Sequence, residues 1–459
     1  MNLRGKRVLV VGLGHFGGQI AAARWLVGQG AAVTVTDLAS AEKLAESMAQ
    51  LADLPIEYVL GGHDRCDLDR CDLLVVSPAV PKDRSPFIKA AVDRGIPISS
   101  EMNLFIERCP VRRIIGITGS AGKSTTTAMV GAILEAARVA GVAKQVWVGG
   151  NIGHSLLNDL HRMSTDDLMV LELSSFQLED LGSLRWSPPV AVVTNIEPNH
   201  LDRHGTLEAY AQAKMNLVRF QRLEDIVLIN PEDTVARDYV TAAGAGSRVR
   251  ECRWEPKFAE VLQQPGQHNR RNAAQAIAAT RAIGLSDIII AQGLRSFHGL
   301  PHRLEFVGEV KGVRYYNDSK STVPTSTQIA VEAFECPVIA LVGGRPKGMS
   351  FAEMGRVLAK TCRCVLCYGE AGPEIYQEVV RGAADDGVTA AAGKNGSVQV
   401  EQISTFAQAV RRANELAQPG DVVVLSPACT SYDEFGNYEE RGQAFRDCVA
   451  QFAQLARQG

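Results

Sequence analysis

Short runs of Val, Ile and Leu recur along the chain, each followed by a segment whose apolar residues return at helical spacing. The runs Val8–Val11, Val33–Thr36, Leu73–Val76, Ile114–Thr118, Leu168–Leu173, Val190–Thr194, Ile226–Ile229, Val338–Val342 and Val422–Leu425 are apolar without alternation. A strand with one wet face alternates, whereas a strand buried on both faces does not. The pattern therefore predicts parallel sheets covered by helices on both sides, an α/β protein. Two breaks divide it. A helix over 101–108 stops at Cys109-Pro110, ahead of a new strand–turn–helix unit at Arg113. A helix over 286–296 gives way, after Gly299-Leu300-Pro301, to an alternating strand over 304–310. Domains of 1–110, 111–300 and 301–459 are expected. The Ala/Gly-rich stretches 241–246 and 390–395 read as loops or short caps.

Composition narrows the classes. The chain has 459 residues, and 48 basic against 51 acidic side chains leave a net charge of −3. That balance gives no footprint for nucleic acid or an anionic membrane surface. No run of about 18 apolar residues is present, so no membrane span is expected. The apolar part of the start, Met1 to Val11, is too short for a signal peptide and reads as a first strand. Ten scattered cysteines fit reduced thiols in a cytoplasmic protein. The cluster Cys362-Arg-Cys364-Val-Leu-Cys367 lies in an apolar run, where a strand would send the thiols to both faces rather than to one metal.

Two glycine-rich turns carry candidate chemistry. Gly12-Leu-Gly14-His15-Phe16-Gly17 follows a strand and opens a helix, and Asp37 ends the next strand. This is the dinucleotide pattern, in which backbone approaches a phosphate and the acid can hold a ribose hydroxyl. NAD, another nucleotide or a plain tight turn all fit it. The second turn, Thr118-Gly119-Ser120-Ala121-Gly122-Lys123-Ser124-Thr125, is more specific, although Ile117 stands where a strict Walker loop has glycine. Amides and a helix start can wrap phosphates there, Lys123 can neutralise the terminal ones, and Ser124 or Thr125 can meet Mg2+. Both turns in one chain suggest ATP consumed on a substrate that itself carries a nucleotide.

Further motifs follow in order: Gly150-Asn151-Ile-Gly153, Leu171-Glu172-Leu-Ser-Ser-Phe-Gln177, Thr194-Asn195-Ile-Glu-Pro-Asn-His200-Leu-Asp202, Tyr210-Ala-Gln-Ala-Lys214, His268-Asn269-Arg-Arg-Asn272, Pro301-His302-Arg303, Asn317-Asp318-Ser319-Lys320, Gly343-Gly344-Arg-Pro-Lys347-Gly348 and Ser426-Pro-Ala-Cys429-Thr-Ser431. Together with Gly119–Thr125 they resemble the Mur ligases, ATP-dependent amide-forming enzymes of peptidoglycan precursor assembly, over essentially the whole chain. The Rossmann-like start and the last segments resemble the D-glutamate-adding branch. The resemblance implies a Rossmann-like N-terminal domain for the uridine nucleotide, a central ATPase domain and a Rossmann-like C-terminal domain for the amino acid. It implies that ATP activates the carboxylate of UDP-N-acetylmuramoyl-L-alanine as an acyl phosphate, which D-glutamate then attacks. ATP, Mg2+ (two ions) and small-molecule partners follow, with no nucleic acid, no membrane insertion and a monomer.

The same resemblance assigns residues. Lys123 would meet the β- and γ-phosphates within the ATP loop Gly119, Ser120, Ala121, Gly122, Ser124 and Thr125. Glu172 closes a buried strand, where an unpaired carboxylate is costly, so a metal partner suits it. His200 resembles a second metal ligand, with an ordinary surface histidine as the lesser alternative for its loop. Lys214 sits in what reads as an amphipathic helix with a solvated lysine; the family implies instead a carbamate that helps Ser124, Glu172 and His200 hold metal. Burial that lowers its pKa would favour that modification. Asn269 and Asn272, with Arg303 and Asp318, would meet the adenine, phosphates and ribose. One of the two asparagines could instead be an N-cap. Gly14, His15, Phe16, Gly17, Asp37, Ser77, Asn151 and Gln177 would contact the uridine substrate. Lys320, Thr322, Lys347, Ser431 and Tyr438 would surround the amino acid. The family pattern is broken where Phe16 and Leu38 replace hydroxyl residues, and at Ala79, Ala121, the Glu197-Pro198-Asn199 run, Tyr432 and Tyr438. These positions put uridine placement and the choice of D- over L-glutamate in question.

Overall fold

The computed structural model describes residues 2–14, 17–244, 248–385 and 398–458. His15, Phe16 and the stretch 390–395 lie outside the described residues. Among the described residues, seventeen strands form three sheets. In the first, β1 (Arg7–Val11), β2 (Ala32–Asp37), β3 (Ile56–Leu60), β4 (Leu73–Val76) and β5 (Ile98–Ser99) run parallel in the order β3-β2-β1-β4-β5. The second holds β6 (Arg113–Thr118), β7 (Val146–Gly150), β8 (Leu168–Glu172), β9 (Val190–Val193), β10 (Ile226–Ile229) and β11 (Arg248–Glu251), parallel in the order β11-β10-β9-β6-β8-β7. In the third, β12 (Glu305–Val310) pairs antiparallel with β13 (Val313–Asn317). The rest, β14 (Val338–Gly343), β15 (Cys362–Tyr368), β16 (Gln399–Ile403) and β17 (Val422–Ala428), complete the order β12-β13-β17-β14-β15-β16. The chain forms two compact units: 1–255 with 271–294, which carries the first two sheets, and 256–270 with 295–459, which carries the third.

Unbroken apolar runs become strands because both faces are covered. Val8 and Val10 enter one core while Leu9 and Val11 enter another. Val338, Ala340 and Val342 likewise oppose Ile339 and Leu341. Each such side chain removed from water contributes about 1.5–3 kcal/mol. In the cysteine cluster, Cys362 and Cys367 belong to one core and Cys364 to the other, all as free thiols. Of the Ala/Gly-rich 241–246, residues 241–243 end the helix Thr234–Ala243, Gly244 is its C-cap and 245–246 lie outside the described residues; the N-cap Asp233 accepts from the Ala236 amide. No helix among the described residues is long and apolar enough to cross a membrane. In open parallel sheets, ligands gather beyond the strands' C-terminal ends, where chain order reverses. Here those reversals fall beside β1 and β6, the strands that precede the two glycine-rich turns.

Candidate active site

The turn after β6 suits a polyanion. Gly119 at φ +146° and Gly122 at φ +80° adopt backbone conformations that favour glycine. A Cβ on Gly119 would stand 1.9 Å from the Thr194 hydroxyl oxygen. Gly122 opens the helix Lys123–Val139 with no side-chain cap, which leaves the first helical amides available to an anion. Asn195, just past β9, fixes the other half of the turn. Its Oδ1 accepts from the amides of Ser120 at 3.0 Å and Ala121 at 2.8 Å. Lys123 Nζ donates to the Ser120 carbonyl at 3.0 Å. Asn272 closes against Gly122, its Oδ1 2.5 Å from where a Cβ would stand. Neither asparagine of that helix is an N-cap, since Gln267–Ala282 begins before both. Asn269 Nδ2 donates back to the Pro265 carbonyl at 2.7 Å.

Two buried charges lie under the turn. Glu172 ends β8 and is 1% exposed. One of its oxygens accepts from Asn151 Nδ2 at 3.0 Å; the other, Oε2, is buried with no hydrogen-bond partner. Such an oxygen is costly unless a cation meets it. Lys214 is also 1% exposed, which overturns the solvated position its helix suggests. Its Nζ donates to the Gly119 carbonyl at 2.8 Å and lies 4.5 Å from the Tyr210 ring centre. Burial, with Lys123 adding repulsion and Glu172 opposing, pushes the Lys214 pKa down to about 7. Tyr210 connects the group: its hydroxyl donates to Ser120 Oγ at 3.2 Å, and His200 lies 6.3 Å from it, centre to centre. His200 is exposed, with φ +52°, at the start of the short helix Leu201–His204. Among the described residues, no three His, Cys, Asp or Glu side chains converge as a ready metal cage. A cation there would meet the orphaned Glu172 oxygen.

A cavity of about 1170 Å³ opens beyond β1 and β4. Gly14, Asp37, Ser77, Asn151 and Gln177 all line it. Asp37 already holds the glycine turn, accepting from the amides of Gly14 at 3.3 Å and Ala39 at 2.8 Å. Gln177 completes a capping box with Ser174 at the start of the helix Ser175–Leu181. Leu38 lines the cavity while 72% exposed, an apolar surface at its rim.

In the unit of the third sheet, β13, β17 and β14 are parallel neighbours, and the loops at their ends carry the remaining candidates. Lys347 Nζ donates to Thr322 Oγ1 at 2.9 Å, and Lys320 Nζ lies 5.6 Å from the Tyr438 ring centre. Ser431 is buried and Arg303 exposed. Asp318 is sealed in: its oxygens accept from the Leu304 amide at 3.1 Å and the Ser426 hydroxyl at 2.8 Å, and burial raises its pKa to about 6.

Three family models match in succession: the Mur ligase MurD-like N-terminal domain over 6–100, the Mur ligase middle domain over 117–280, and the Mur ligase glutamate ligase domain over 302–429. The UDP-N-acetylmuramoylalanine–D-glutamate ligase of Alkaliphilus metalliredigens is 36% identical over 98% of this chain and 99% of its own. That of Symbiobacterium thermophilum is 37% identical over 97% and 98%. The chain belongs to the Mur ligase family. The fold agrees: the MurF ligase of Thermotoga maritima, solved in complex with ADP, superposes with a TM-score of 0.53 at 17% identity over 92% of this chain and 95% of that one.

Several residues of this Mur ligase escaped the reading of its motifs. Asn195 was visible inside a motif, but nothing in its spacing shows that it binds the phosphate turn. His63 lines the cavity, stacked on Phe87 at 4.7 Å between ring centres, with Nδ1 2.9 Å from the Thr36 hydroxyl; burial lowers its pKa. Glu101, in the same cavity, accepts a hydrogen bond from Ser155, and burial raises its pKa. His204, one turn after His200, stacks on Phe176 and pairs with Ser175 at 3.0 Å. No periodicity marks any of the four.

Proposed function

We propose that this Mur ligase joins D-glutamate to UDP-N-acetylmuramoyl-L-alanine at the expense of ATP, releasing ADP and phosphate. Near-full-length identity of 36–37% to proteins that bear this activity in their names carries the reading. Domains 1–110, 111–300 and 301–459 would serve the uridine nucleotide, ATP and the amino acid. In the reaction, the substrate carboxylate takes the γ-phosphoryl group, the amine attacks the resulting acyl phosphate, and phosphate leaves. Two anions must meet, so the site has to offset their repulsion. Gly119–Thr125 would cradle the triphosphate, with Lys123 on its terminal phosphates and Asn269, Asn272, Arg303 and Asp318 toward the nucleoside. Glu172, Ser124, His200 and carbamylated Lys214 would hold Mg2+, which neutralises charge shared between ATP and the carboxylate. The orphaned Glu172 oxygen supports that assignment. Gly14, Gly17, Asp37, Ser77, Asn151 and Gln177 would take the nucleotide substrate. Lys320, Thr322, Lys347, Ser431 and Tyr438 would take the amino acid, cations and hydroxyls matching its two carboxylates. The enzyme would act as a cytoplasmic monomer.

The test is phosphate release with UDP-N-acetylmuramoyl-L-alanine and a panel of D- and L-amino acids. Turnover that needs ATP, the nucleotide substrate and D-glutamate together is expected. Turnover with L-glutamate or another acid, and none with D-glutamate, would overturn the substrate while keeping the chemistry.

A further inference from the structure

The helix Tyr438–Gln458 buries one cation completely. Arg441 is 1% exposed. Its guanidinium donates from Nε to Ser319 Oγ at 3.0 Å, from Nη1 to the Thr430 carbonyl at 3.1 Å, and from Nη2 to the carbonyls of Ser319 at 2.9 Å and Cys429 at 3.1 Å. Every one of these acceptors is neutral, and no carboxylate among the described residues forms an ion pair with it. Buried charges are normally paired, because desolvation is expensive. Asp433 and Glu434 act with it on Tyr368 without pairing to it. A buried cation whose hydrogen bonds all go to neutral groups needs a reason.

Its partners supply one. Ser319 sits on the loop after β13, and Cys429 and Thr430 on the loop after β17. Thr430 in turn exchanges both backbone hydrogen bonds with Arg345, on the loop after β14, each at 3.0 Å. Gly344 on that loop leaves room for the guanidinium: a Cβ there would lie 3.0 Å from Nη1. One side chain thus hydrogen-bonds the loop that carries Lys320 and Thr322 and the loop that carries Ser431, and reaches the loop of Lys347 through the Thr430–Arg345 pair. Only Arg brings five donors in a planar fork to such a task.

We propose that Arg441 is the positioning residue of the amino-acid site: it holds these three loops in register and gives the site a permanent positive potential that selects a dicarboxylic amino acid. The inference rests on the assignment of these loops to the amino acid. Lys320 and Lys347 are exposed, so water and salt screen them. Arg441 is sealed away from both, and its field reaches the site through protein.

The experiment compares Arg441→Gln, which keeps donors and loses the charge, with Arg441→Lys, which gives up the planar fork and, buried at that position, holds its charge only toward low pH. Each is assayed for KM of D-glutamate, ATP and the nucleotide substrate, and for kcat/KM of D-glutamate relative to neutral D-glutamine. A unit charge about 8 Å from a carboxylate at an effective dielectric of about 20 changes binding roughly 30-fold. Arg441→Gln should therefore raise the D-glutamate KM about tenfold or more and cut the D-glutamate preference similarly. The other two KM values should stay within about twofold, and Arg441→Lys should keep more of the preference at pH 6 than at pH 9. An unchanged D-glutamate preference in Arg441→Gln, or equal rises in all three KM values, overturns the proposal. Should Arg441→Gln fail to fold, Arg441→Lys decides alone: a preference equal to that of wild type at both pH 6 and pH 9 overturns it. Wild-type enzyme that turns over a different amino acid and ignores D-glutamate would instead refute the substrate assignment.

Discussion

Lys214 offers the sharpest test, because its burial changes which chemistry a lysine can do. An amine attacks CO2 only when neutral; the N–C bond forms, a proton leaves, and a cation becomes an anion. At the ordinary pKa of 10.5 about 0.1% of the amine would be neutral at pH 7.5, whereas at about 7 roughly three quarters is, a gain of roughly 700-fold. Enzyme equilibrated with 13C-bicarbonate should show one protein-bound carbamate resonance that disappears in Lys214→Ala. That variant should lose about a thousandfold in kcat, with partial rescue by formate or acetate. Stability gives an independent reading. Below about pH 7 both folded and unfolded Lys214 are charged, and the fold bears the whole burial cost, up to about 5 kcal/mol. Between about 7 and 10.5 only the unfolded chain holds the proton, so stability rises with pH across that window. Lys214→Met removes the cost and strands the Gly119 carbonyl, at about 1 kcal/mol. In CO2-free buffer its Tm relative to wild type should be higher at pH 6 than at pH 9. Full activity in Lys214→Arg, which stays cationic, or no Lys214-dependent resonance, would refute the reasoning.

Three further outcomes follow from the same geometry. Glu172→Gln removes the charge of the orphaned oxygen while keeping an acceptor for Asn151; kcat should fall about a hundredfold or more, with Tm unchanged or raised, by phosphate release and calorimetry. Gly119→Ala meets the Thr194 hydroxyl at 1.9 Å from a φ of +146°, so ATP binding by titration calorimetry should vanish and stability drop by about 2 kcal/mol or more. His63→Ala widens the cavity beyond β1 and β4 and unstacks Phe87; if that cavity takes the uridine substrate, its KM should rise about tenfold with kcat nearly constant, and an unchanged KM would remove His63 from the site.

What the sequence discloses follows from the physics of doubly wound sheets. Runs such as Val8–Val11 and Val338–Val342 are legible because two cores consume their side chains. The motifs are legible because ligands gather where such strands end, which turns a spatial rule into a position along the chain. What a helix buries is a different matter. Lys214 stands in a helix that reads as amphipathic with the lysine solvated, yet it is 1% exposed, and so is Arg441 in the last helix. Their burial depends on elements far away in sequence: Gly119 lies 95 residues from Lys214, and Ser319 122 residues from Arg441. No local window contains both partners. The two cations also behave differently for a chemical reason. A lysine sealed in protein can give up its proton, and the low pKa of Lys214 makes it open to modification. A guanidinium keeps its charge, so the four neutral oxygens around Arg441 hold a positive field in place. A net charge of −3 conceals both, because an average over 459 residues does not register where two cations are buried.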